Sequence, residues 1–254
     1  MLKEIIISLQ SYGFANRLIR QQRLWKWILI PGILYTILFI FSIYFFSKTA
    51  NSFIAWLSLK TGLKLWLDKT HSGVLGFIFT LAALNIWIIQ MMFYFSLFKY
   101  LWLILGSPVF GYLNQKTRLL ISGSNEDVAL PAVAKDMGRA VVVALRNVVR
   151  QTALLIAFAL IALIPVLGLV APLFALFAEC FFYGYSMLDF SCKRKNMTIS
   201  EAAFFIGKHR GLAVGNGLVF YSFHLLPIVG WILGPSYAII AATFSMQENK
   251  ELNI

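Results

Sequence analysis

The chain has 254 residues, 60% of them hydrophobic and only 13% charged, with a formal net charge of +12. A water-soluble domain carries roughly a quarter of its residues as charges, so this composition excludes a soluble globule and points to an integral membrane protein. The basic residues lie beside apolar runs, where cytoplasmic loops meet anionic lipid headgroups; they lack the interleaved aromatics of a single-strand nucleic-acid surface.

Residues 1–24 are expected to form an amphipathic interfacial helix. Ile5, Ile6, Leu9, Phe14, Leu18 and Ile19 stand against Arg17, Arg20 and Arg23, and such a helix lies with its cations toward phosphate. Residues 25–46 form a first span. A polar stretch over 47–73 with four lysines follows, then a second and longer span over 74–105, free of charge up to Lys99. Each span meets the length of about 20 apolar residues needed to cross roughly 30 Å of hydrocarbon.

Residues 106–151 form a cytoplasmic amphipathic region. At about 100° per residue, Lys135, Arg139, Arg146 and Arg150 project within about 60° of one another. This stripe either snorkels to headgroups from a helix lying along the membrane or forms a cationic wall, with Arg139 in it, along an anion path.

Two helical hairpins follow, over 152–190 and 212–246. Their corners repeat: Leu163-Ile164-Pro165-Val166-Leu167-Gly168 matches Leu225-Leu226-Pro227-Ile228-Val229-Gly230, and Pro172 and Pro235 come after. Proline ends the hydrogen-bond ladder and glycine allows a tight turn, so Pro165, Gly168, Pro227 and Gly230 mark the corners. Arms of 13–16 residues reach about 20–24 Å, short of a full crossing. Both hairpins are therefore expected to be only partly inserted, with corners shielded by protein, because unpaired backbone in hydrocarbon costs several kcal/mol per group.

Basic residues number five up to Lys26, six in 106–151 and five in 191–211, against four in the loop between the spans. The richer segments face the cytoplasm. That places the protein in the bacterial inner membrane, multi-pass, with both termini cytoplasmic. Glu179 stands well inside an apolar run, either as a gate or proton-coupling group or as a paired carboxyl that fixes helix packing. Gly207-Lys208-His209-Arg210-Gly211 precedes a helix, where Arg210 serves an anion site or a headgroup anchor. His71, His209 and His224 show no metal-ligand spacing, and Cys180 and Cys192 form no CxxC. No nucleophile–base arrangement stands out. The reading is therefore of no enzyme, no catalytic or metal residue and no cofactor.

Several motifs occur in a set order. Lys135-Asp136-x-x-Arg139 precedes Ile164-Pro165-x-x-Gly168-x-x-Ala171-Pro172, followed by Asp189, Glu201 with a basic cluster, and Gly215-x-Gly217. Leu226-Pro227 and Pro235 then lead to Ala241-Ala242-Thr243. In this order and spacing the chain resembles the CysZ-type sulfate permease family, related to the etoposide-induced membrane proteins. The resemblance implies an all-α integral membrane protein: an N-terminal amphipathic helix, two long transmembrane helices and two Pro/Gly-broken hairpins only partly inserted. It implies a homo-oligomer that takes up an inorganic anion, sulfate favoured, with no nucleotide or metal. The family's Gly-Leu-Arg anion motif falls on Arg23-Leu24-Trp25, with Lys26 at a second basic position, and its Pro-Phe-Asn falls on Pro108-Val109-Phe110. The first departure leaves open a structural or interaction role in envelope maintenance or assembly, without transport.

Overall fold

The computed structural model describes residues 1–60, 73–124, 128, 130–162, 164–168, 170–194 and 196–251, and the regular structure among them is helical throughout. In chain order the helices are α1 (Leu2–Gln22), α2 (Trp25–Lys60), α3 (Gly73–Leu105), α4 (Ser107–Ser122), α5 (Leu130–Ala162), the single turn α6 (Pro165–Gly168), α7 (Ala171–Arg194), α8 (Ile199–Lys208), α9 (Arg210–Phe223) and α10 (Val229–Glu251). Five stretches among the described residues are long and apolar enough to cross a membrane: Trp25–Ala50, Gly76–Leu105, Gly138–Ala162, Ala171–Lys193 and Val229–Glu248. The fold is that of an all-α membrane protein.

Two boundaries differ from those read in the sequence. Helix α2 continues through Lys60, so the polar stretch after residue 46 begins as helix; residues 61–72 lie outside the described residues. No break occurs near Gln151. The amphipathic region and the first hairpin arm are one 33-residue helix, α5, since Thr152 brings no glycine or proline to interrupt the ladder. The argument from short arms therefore holds for α9 alone, at 14 residues or about 21 Å.

The chain divides into two compact units, Met1–Leu38 with Lys99–Asn147 and Glu179–Ile254, and Phe39–Phe98 with Val148–Ala178. In the first, small residues on two faces of α9 allow close helix approach. A Cβ at Gly211 or Gly215 would collide with Met1, Glu4, Ile5 and Ser8 of α1, and one at Gly217 would strike the Cys180 carbonyl of α7. From the α7 side, a Cβ at Gly184 would strike the carbonyl of Ala213. Helix α1 docks through Ile7, Ser8, Ser11, Tyr12, Ala15, Leu18 and Ile19. Ser8 donates to the Leu212 carbonyl (2.9 Å) and Tyr12 to that of Asn216 (2.9 Å). Of the apolar residues that define its amphipathic face, Leu18 and Ile19 are thus buried against protein, whereas Ile6 and Leu9 stay exposed.

The second unit packs aromatic side chains of α2 against α3. Phe46 meets Trp87 edge-on at 4.8 Å, and Thr49 donates to the Tyr94 hydroxyl at 2.8 Å. Ile89, Ala162 and Ala171 form its small core, with Phe158 and Ala159 against them.

Candidate functional site

Charged side chains inside the helical body are costly unless paired. In the first unit Glu179 and Arg139 are both paired. Glu179 of α7 accepts at Oε2 from Lys99 Nζ of α3 (2.7 Å) and from the Tyr221 hydroxyl of α9 (2.7 Å). Both charged side chains are only 3% exposed. Gly217 sets this up: it lets α9 touch α7 at Cys180, and Tyr221 lies one turn further on the same face. The arrangement matches the paired-carboxyl alternative for Glu179, with partners that sequence did not identify. Lys99 is visible in sequence as the first charge of its run, but Tyr221 carries no signal.

Arg139 of α5 is likewise engaged. Its Nε and Nη2 donate to the two carboxylate oxygens of Asp189 (3.0 and 2.7 Å), and Nη1 donates to the Met197 carbonyl. The fork ties α5, α7 and the segment before α8 together. Arg139 is therefore a structural clamp and not an open member of a cationic wall.

At the N-terminus of α9 the anion position is filled from within the chain. Glu4 of α1 accepts the Gly211 amide (3.0 Å) and contacts His209 Nδ1 (2.7 Å). A helix N-terminus attracts an anion, and here the anion is Glu4, a residue that sequence reading left unassigned. Arg210 points its Nε to the Gly207 carbonyl (2.9 Å) and is exposed.

At the turn between α1 and α2, Arg23 adopts a left-handed conformation (φ 50°) and closes α1. The Leu24 amide reaches back to the Ile19 carbonyl (3.3 Å), and Leu24 and Ile19 are both buried, as in a Schellman cap. Arg23 and Lys26 are exposed.

Both hairpin corners satisfy much of their own backbone. Gly168 donates to the Ile164 carbonyl (2.6 Å), and Gly230 to that of Leu226 (2.9 Å). These two amides are satisfied within the corner itself, because each corner closes as a helical turn. Ile164, Leu167, Leu226 and Ile228 are exposed in the chain. A Cβ at Gly168 would strike the Ala162 carbonyl, and one at Gly230 that of Phe223.

Residues 12–235 match the family model described as sulfate transporter CysZ/etoposide-induced protein 2.4. The chain belongs to this family. No curated protein matches it in a direct comparison. Seen as a CysZ-type chain, its motif residues acquire physical roles. The position of the family's motif glycine, occupied by Arg23, is one that needs a positive φ, for which glycine is the unstrained choice. Gly215 and Gly217 face α1 and α7 respectively. Thr243 accepts from Asn114 of α4 (2.8 Å), which also donates to Ser191 of α7 (2.6 Å).

Proposed function

We propose that this membrane protein conducts a small oxyanion, with sulfate favoured, across the bacterial inner membrane. On this reading it acts as a homo-oligomer with both termini cytoplasmic and its basic segments against anionic headgroups. The observation that carries the reading is the family match over 12–235, joined to five stretches among the described residues able to span a bilayer. Entry of the anion falls to Arg23 and Lys26, which are exposed at the start of the first span. Arg210 is the weaker candidate, since Glu4 already fills the neighbouring helix terminus.

Radiolabelled sulfate flux in proteoliposomes, with phosphate and chloride as competitors, tests the proposal. Saturable sulfate entry that phosphate competes weakly is expected, and Arg23→Gln with Lys26→Gln should reduce it about tenfold or more, as loss of two charged contacts implies. Flux unchanged by the double substitution would remove these residues from the path. No flux of any oxyanion would sink the transport reading and leave the role in envelope maintenance or assembly.

A further inference from the structure

Two hydrogen-bond donors on two different helices converge on one buried carboxylate oxygen, Glu179 Oε2. An oxygen of sulfate presents the same chemistry to an ammonium and a hydroxyl. We propose that Lys99 and Tyr221 form a buried oxyanion site which Glu179 occupies as an internal latch. The inference deepens the oxyanion reading and rests on it.

The surroundings favour donors. Tyr183, one turn beyond Glu179 on α7, has a buried hydroxyl without a partner among the described residues, and its ring lies 6.1 Å from that of Tyr221. Tyr35 Oη is hydrogen-bonded to His224 Nε2 in the same unit. A buried ammonium that loses its carboxylate partner is destabilised. Glu179 therefore swings out only as a minor state, and an anion that takes its place shifts the balance toward opening. Packing at Gly217 and Gly184 holds α7 and α9 in register, so the exchange needs a side-chain rotation and not a helix shift.

The test uses the purified full chain in detergent, titrated with sodium sulfate against sodium gluconate at equal ionic strength, reading the thermal midpoint. Wild type, Glu179→Gln and Lys99→Gln with Glu179→Gln are compared. Glu179→Gln keeps the side-chain shape and removes the competing charge. A latch closed nine parts in ten would hide the site by roughly tenfold, so half-saturation by sulfate should fall about tenfold in Glu179→Gln and the response should vanish in the double variant. If Glu179→Gln cannot be purified, Glu179→Asp, one methylene shorter, must also saturate at lower sulfate than wild type. Equal sulfate dependence in all variants overturns the latch. A sulfate response in Glu179→Gln without flux in wild type supports the site and counts against transport; flux without that response does the reverse.

Discussion

Among the described residues two non-glycine side chains hold positive φ at turns, Arg23 (50°) and Ile228 (63°), besides Asn196 (56°), whose side chain tolerates that region. For a β-branched residue such as Ile228 the conformation is strained, at about 1–3 kcal/mol. Arg23→Gly and Ile228→Gly should therefore each raise the thermal midpoint in detergent, by an amount worth about 1 kcal/mol. Arg23→Ala should give no such gain, because alanine keeps the Cβ. Equal effects of glycine and alanine at position 23 would show that charge, and not backbone, governs the site. Glu201 responds to pH at the same scale. Thr198 and Glu201 exchange hydrogen bonds in a capping box at the start of α8, and that partnership holds the Glu201 carboxyl below its ordinary 4.5. A depressed carboxylate contributes stability above its unfolded pKa, and the contribution is lost as pH falls through the folded value. Amide protection factors in α8 should drop below about pH 4.5, and Glu201→Gln should abolish the step.

Helix α9 shows how spacing of small residues becomes geometry. Gly211 and Gly215 face α1, while Ala213 and Gly217 face α7, two stripes each repeating every four residues. Gly217→Ala places a methyl against the Cys180 carbonyl. Overpacking of this kind costs about 1–3 kcal/mol, and the thermal midpoint should fall accordingly. Gly13→Ala on α1 is the proper control, since a Cβ there meets nothing within 4 Å, and it should stabilise by about 1 kcal/mol. Gly123 is unsuitable despite its open surroundings, because its φ of 68° strains any replacement. If Gly217→Ala were as stable as Gly13→Ala, close approach of α7 and α9 would not hold the fold.

For the molecule as a whole, insertion depth is decided by charge as well as length. Helices α5 and α7 are long enough to cross, but Arg150 on α5 is exposed, and a cation at the bilayer centre costs about 2.5–3.5 kcal/mol even on the lowest scales. With Arg150 at headgroup level, Val166 lies 16 residues on, counting from the sequence, or about 24 Å, short of a core of roughly 30 Å. The 14 residues of α9 limit the second corner in the same way. On the proposed orientation, single cysteines at Val166 and Ile228, without Cys180 and Cys192, should react slowly with an impermeant thiol reagent added on the side opposite the termini. Arg150→Leu should speed labelling at Val166. Rapid labelling of both corners in the parent chain would mean that the hairpins cross fully.

The membrane class, the two long spans, the hairpin corners at Pro165 and Pro227 and the family were all legible from the chain alone. Runs of apolar residues, proline breaks and motif order are local properties that need no knowledge of neighbours. The continuity of α5 was legible in principle, as nothing between Leu130 and Ala162 stops a helix; the amphipathic stripe concealed it by suggesting a separate element. The pairings belong to tertiary structure. Glu179 meets Lys99 across 80 residues and Arg139 meets Asp189 across 50, while Glu4 reaches Gly211 across 207. Which carboxylate faces which cation depends on how helices rotate and how closely their backbones approach. Small residues on α9 set that approach, and their four-residue spacing does not say which helix each stripe meets.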